Sequence, residues 1–221
     1  VLDGGVREGD AATFRAANLM VGTDWSEAAE GTNGIGTCLA EGRPVLVWRD
    51  QHFRATNIGL ACMGAPIFGP EGDLAGVIDV SSIRGDLTEG TARLVALTVQ
   101  DAASRIEADL FRASHEGARI IQTGAGEEGP QGVMLLAVNR DDLIIGATRA
   151  ARRALGLEAA QIGRLPASDL LGGGQGLEAA ARAEFSPALA RAKGNVSAAA
   201  RELKISRATF YRKAKALGLD A

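Results

Sequence analysis

Arg207, Thr209 and Arg212 fall within six residues of one another, with Tyr211, Lys213 and Lys215 among and after them and Asn195 and Ser197 a short segment upstream. Guanidinium groups can make paired hydrogen bonds to guanine edges, while hydroxyl and ammonium groups grip phosphate. This mixture suits a nucleic-acid duplex better than it suits bond breaking. At about 100 degrees per residue, Phe210, Ala214 and Leu217 fall together and pack inward. Ala208, Tyr211, Arg212 and Lys215 fall on the opposite side, with Arg207 and Thr209 exposed near the N-terminal end and Lys213 at the flank. The expected roles are base or near-base contact for Arg207, Thr209 and Arg212, and phosphate contact for Tyr211, Lys213, Lys215, Asn195 and Ser197. An ordinary amphipathic helix with a solvated basic face has the same periodicity, and charge distribution separates the two readings. From Arg191 onward there are eight Lys/Arg and two acids, a local charge of +6 on a chain whose total is −3, and all four lysines lie there. A basic patch on an acidic body is the electrostatic footprint of a DNA-binding module.

The remaining reactive side chains are sparse. Cys38 and Cys62 are too few for a disulfide scaffold or a cysteine-rich zinc site, and His52 and His115 lack any ligand-like spacing. No catalytic residue, metal ligand or cofactor is expected. The word Thr32-Asn-Gly-Ile-Gly36 lacks the lysine and spacing of a phosphate loop, so its glycines are read as turn residues. Trp25, Asn33, Cys38, His52, Phe53 and Cys62 have the chemistry to line a small-effector pocket, with aromatics for stacking and a few polar groups for orientation. The same aromatics and cysteines also serve as plain core, and His52 as a capping residue.

The elements that must carry these residues follow from pattern. Asn195 can cap a first helix whose buried face is Val196, Ala199, Ala200 and Leu203; Lys204 and Ile205 form the connection. Ser206 then caps a second helix from about Arg207 to Ala216, ended by Gly218. Upstream, Ala61 to Phe68 and Leu74 to Ser81 are β-competent runs around Gly69–Asp73, which predicts an antiparallel hairpin. Thr91 to Phe111 predicts a long amphipathic helix with Val95, Thr98, Ala102, Ile106 and Leu110 on its stripe. Val133 to Val138, the turn Asn139 to Asp142, Leu143 to Ile145 and Thr148 to Leu155 read as strand, turn, strand, helix. The Gly/Glu-rich residues 122–131 and the word Gly172-Gly-Gly-Gln-Gly176 read as linkers. The fold class is α+β. No apolar run approaches a membrane span and the N-terminus shows no signal-peptide pattern, so a soluble, cytoplasmic, nucleoid-associated protein is expected.

Gly194 to Arg201 and Ile205 to Lys213 resemble the Fis-type helix-turn-helix at the C-terminus of many bacterial transcription activators. In that family the unit acts as a dimer, and residues 177–192, with Phe185 and Leu189, would supply the seam. Gly31 to Thr37, Gln51 to Phe53, Ala61 to Ile67 and Gly76 to Ser81 resemble the GAF domain of acetoin-operon-type activators, which implies a sensory, dimerising domain. The segment after it resembles the start of a PAS domain. The expected order is a GAF-like domain at 1–118, a linker at 119–131, a partial PAS-like segment at 132–165, a linker at 166–176 and the helix-turn-helix at 177–221. The layout is also similar to activators of gene transfer agent expression in alphaproteobacteria.

Activators of the resembled type insert an ATPase before the helix-turn-helix. Nothing here matches its Walker loop. The resemblance therefore implies a homodimer that binds double-stranded promoter DNA and contacts the RNA polymerase holoenzyme without ATP hydrolysis, with a small-molecule effector at the GAF-like domain and no membrane partner. The alternatives are an interaction protein that forms mixed dimers with a full-length sigma-54-dependent activator, and an architectural DNA-binding protein.

Overall fold

The computed structural model describes residues 1–123, 132–171 and 185–219. The chain divides into two units, Val1–Phe111 and Arg112–Ala221. Among the described residues no helix is long and apolar enough to cross a membrane.

In the first unit β1 (Val45–Trp48), β2 (Ala61–Phe68) and β3 (Leu74–Ser82) form an antiparallel sheet in that order. The hairpin turn closes as its composition predicts: Gly69 N–H donates to Asp73 O at 2.8 Å, and Gly72 takes a left-handed φ of 87°. Alternation along β2 sorts the side chains to two faces. Ala61, Met63 and Ala65 pack against the long helix α4 (Glu89–Ser114). Cys62 joins a cluster on the other face with Trp25, Leu60 and Phe14 of α1 (Ala11–Ala16). The short α2 (Glu27–Glu30) leads into α3 (Gly34–Glu41), whose Cys38 packs with Val45 and Val47. Close approach of α3 to the sheet requires bare backbone. A Cβ on Gly34 would come within 2.4 Å of Cys62 Cβ, and one on Gly64 within 2.6 Å of Gly34 O.

The buried stripe of α4 differs from the expected one. Ala92, Val99 and Ala103 are its fully buried contacts with the sheet, and Val95 packs partly, whereas Ile106 and Leu110 are exposed. Ala92 and Ala103 of α4 share a buried core with Ala61, Met63 and Ala65 of β2. The larger Ile106 and Leu110 then lie outside the seam.

In the second unit β4 (Arg119–Gln122), β5 (Leu135–Val138) and β6 (Ile144–Ala147) form a second antiparallel sheet. Helices α5 (Arg149–Leu155) and α6 (Ala167–Leu170) cover it, with Leu136, Val138, Ile144, Ala151 and Ala167 in the core. Two expected linkers are therefore partly structural. Residues 119–122 pair as β4, because the alternating Ile120 and Ile121 sit opposite Ala137 and Leu136 of β5. Residues 166–171 belong to the core through Ala167, Leu170 and Leu171. The remaining expected linker residues 124–131 and 172–176, and residues 177–184 of the expected dimer seam, lie outside the described residues.

The last three helices are α7 (residues 185–191), α8 (Val196–Glu202) and α9 (Arg207–Ala216). Phe185 and Phe210 pack with ring centroids 5.0 Å apart, and Ala188, Val196, Ala199, Ala200, Ala214 and Leu217 complete a small core. The caps follow the sequence reading. Asn195 accepts from Ala198 N–H at 3.1 Å and Ser206 Oγ accepts from Thr209 N–H at 3.1 Å. Lys204, in the connection, adopts a left-handed φ of 54°.

Candidate nucleic-acid interface

Because Phe210, Ala214 and Leu217 turn inward, Arg207, Tyr211 and Lys215 are left on the exposed side of α9. The Arg207 guanidinium lies 5.5 Å from the Tyr211 ring centroid and its Nη2 donates to the Tyr211 hydroxyl at 3.4 Å. This pairing one turn apart holds the arginine extended over a flat, amphipathic surface. Asn195 and Ser197 are exposed at the start of α8. These five of the eight expected contact residues are open to a duplex.

The other three are engaged elsewhere in the second unit. Thr209 is only 6% exposed, and its hydroxyl is shared between Ser206 Oγ at 2.8 Å and Asp141 Oδ1 at 3.2 Å. In this structure Thr209, expected as a base contact, is instead part of the cap of α9. Arg212 Nη2 donates to the backbone carbonyl of Asp141 at 3.1 Å, and Lys213 Nζ stands 3.8 Å from Asp142 Oδ1. Asp141 and Asp142 escaped sequence reasoning. They occupy an ordinary polar turn between β5 and β6, and only the fold brings that turn to α9.

The six residues expected to line an effector pocket do not converge on one. Trp25 is buried, with its indole N–H donating to Asn18 O at 2.9 Å. Asn33 is the N-cap of α3: Oδ1 accepts from Gly36 N–H at 2.7 Å, and Nδ2 donates to Trp25 O and Gly31 O. Fully buried and with both amide protons used, this side chain has no donor left to orient an effector. Cys38 is core, and Phe53 is 77% exposed with its ring over Gly31.

His52 and Cys62 do meet, in a line of four polar groups. His52 Nε2 lies 3.3 Å from Cys62 Sγ, which lies 3.1 Å from Ser81 Oγ, which donates to Asp79 Oδ2 at 2.7 Å. His52 Nδ1 is 2.9 Å from Arg49 O. A carbonyl only accepts, so Nδ1 carries the proton and Nε2 is the acceptor. Burial lowers the His52 pKa, and burial together with the Asp79 charge pushes the Cys62 thiol up to about 12. Neutral thiol beside neutral imidazole is the opposite of an activated thiolate pair. The Cys38 thiol is likewise pushed up to about 12, first by burial and then by Asp79. Among the described residues no group of three or more His, Cys, Asp or Glu side chains can hold a metal ion.

Asp79 and Ser81 also line a groove of about 1020 Å³ with Phe14, Ile35, Leu39 and Val77. None of the six expected pocket residues borders it. Asp79 Oδ1 is buried without a hydrogen-bond partner, and burial raises the carboxyl to about 7 despite the Ser81 hydroxyl, which lowers it. The alternation of β3, which puts Asp79 and Ser81 on the Cys62 face, was the signal that could have found them.

Residues 4–106 match the GAF domain family, and residues 186–217 match the family described as bacterial regulatory protein, Fis family. The acetoin catabolism regulatory protein of Cupriavidus necator is 33% identical over 165 residues, 73% of this chain and 24% of that protein. The acetoin dehydrogenase operon transcriptional activator AcoR of Bacillus subtilis is 42% identical over 64 residues, 29% of this chain and 11% of that protein. The chain therefore spans about a quarter or less of these relatives. A solved structure of the E. coli DhaR(N)-DhaL complex has a TM-score of 0.39 at 19% identity, over 74% of this chain and 55% of that one.

Proposed function

From a chain that joins a GAF domain to a Fis-type helix-turn-helix and is homologous to acetoin-operon regulators, we propose a DNA-binding transcription regulator that acts as an activator. The observation that carries this is the exposed face of α9, with Arg207, Tyr211 and Lys215 held outward by the buried Phe210, Ala214 and Leu217. Such a helix enters the major groove with its first turns, while α8 crosses the phosphate backbone near Asn195 and Ser197. The protein binds as a dimer at paired half-sites. No lysine in the chain follows a glycine, so no Walker loop is present in it. Activation accordingly proceeds by contact with RNA polymerase holoenzyme, without ATP hydrolysis by this chain. In the first unit, a small effector fits the groove bordered by Asp79 and Ser81.

The test is retention of genomic DNA fragments by the purified protein at about 150 mM salt, where non-specific phosphate binding is weakened. A few discrete sites sharing an inverted repeat are expected. Uniform retention of all fragments, or retention of none, overturns the site-specific reading.

A further inference from the structure

We propose that the β5–β6 turn is an internal stand-in for DNA phosphate, clasping the recognition helix α9 by its reading end and holding the protein in a state that does not bind DNA. The inference rests on the DNA-binding reading of α9. Four contacts define the clasp. Asp141 Oδ1 accepts from Ser206 N–H at 3.1 Å and from the Thr209 hydroxyl at 3.2 Å, at the first turn of α9. The Asp141 carbonyl accepts from Arg212, and Asp142 faces the Lys213 ammonium. Across the turn, one carboxylate at the Ser206 N–H and the Thr209 hydroxyl, a carbonyl at the Arg212 guanidinium and a second carboxylate near the Lys213 ammonium together present acceptors to the kinds of donor that duplex phosphates meet at a recognition helix.

The turn is built before it meets the helix. Asn139 Oδ1 accepts from the N–H groups of Asp141 and Leu143, and Asp142 N–H donates to Asn139 O. Asp142 is buried, takes a left-handed φ of 65°, and is gripped by Arg119 Nη2 at 3.0 Å and by Ser168 N–H at 3.2 Å. Two acidic residues are thereby presented on a rigid β-turn rather than on a loose chain. Arg212 and Lys213 cannot face this turn and a DNA backbone at once, so clasp and duplex exclude each other. The apparent dissociation constant for DNA is the intrinsic one divided by the small fraction of molecules with the clasp open, so a closed clasp weakens binding. The contacts are partly exposed and few, which makes the bias reversible. A signal that moves the PAS-like module by a few ångströms would release the helix.

The full-length chain carrying Asp141→Asn tests this, because the substitution leaves the backbone of the turn and the buried Asp142 intact. Asp169→Asn removes the same charge from an exposed site on α6 of the same module and serves as the control. In the free protein, the Ser206 amide resonance should shift with Asp141→Asn and stay put with Asp169→Asn. On a retained genomic fragment, Asp141→Asn should bind about tenfold more tightly, the scale of one charge-assisted hydrogen bond, and Asp169→Asn should match wild type. Equal binding by wild type and Asp141→Asn overturns the clasp while leaving the DNA reading standing. Equal tightening by both variants also overturns it, since net charge would then be the cause. Failure of all three proteins to bind DNA overturns the clasp together with the reading beneath it.

Discussion

Asp79 shows how a single buried group sets a solution property. Its carboxyl is raised to about 7 by burial, and one of its oxygens has no partner. The folded state thus keeps a proton that the unfolded chain has lost above about pH 4. Between those two values the native state binds more protons than the unfolded state, so stability falls as pH rises and levels off above about 7. The Asp79→Asn variant should lack this component, and its melting temperature should exceed that of wild type at pH 8 while approaching it near pH 4. Calorimetry across that range checks the sign. Parallel wild-type and variant profiles would mean that Asp79 is charged and solvated throughout. At this scale the sequence was least legible. Asp79 and Asp141 look like any surface acid until β3 turns one inward and the β5–β6 turn carries the other to α9.

At the scale of elements the reading was far more successful, and the reason is local physics. The β2–β3 hairpin, the caps at Asn195 and Ser206, and the bounds of α9 depend on turn chemistry and on a side chain meeting an amide three residues away. Alanine carries little periodic signal, so the buried stripe of α4 is hard to place by pattern, yet Ala92 and Ala103 lie in the core it shares with β2. Residues 119–122 carry no strand signal in sequence, because a four-residue strand has no pattern of its own and is created by its partner β5. Lys204 offers an element-scale prediction. A non-glycine residue with φ of 54° is strained by its Cβ, and the α8–α9 turn holds it there. Lys204→Gly should stabilise the helix-turn-helix by about 0.5–1 kcal/mol after allowing for the greater freedom of glycine in the unfolded chain. Chemical denaturation reads this directly, and a loss of stability would show that the lysine side chain outweighs the backbone strain.

For the molecule as a whole, charge and architecture point the same way: a basic C-terminal helix pair on an acidic chain. Arg207→Ala should cost about 1–3 kcal/mol on a specific site and relax preference at one base position. Lys215→Ala should weaken all sequences alike and lower the slope of log affinity against log salt by about 1. Binding titrations at several salt concentrations separate the two, and an Arg207 variant with unchanged site preference would remove α9 from base reading.

The line from His52 to Asp79 has a further property, which concerns direction. When Asp79 is charged, the Ser81 hydroxyl must donate toward it, and the Cys62 hydrogen points either to Ser81 Oγ or to His52 Nε2. When Asp79 holds a proton, it can donate to Ser81, Ser81 to the Cys62 sulfur, and the thiol to the imidazole, so that every dipole runs one way. The cluster is thus a short hydrogen-bond wire with two polarities, switched from one end. Cys62, next to the far end at His52, reports the switch through its S–H stretching band, which should move over the same pH interval in which Asp79 titrates and stay fixed in the Asp79→Asn protein.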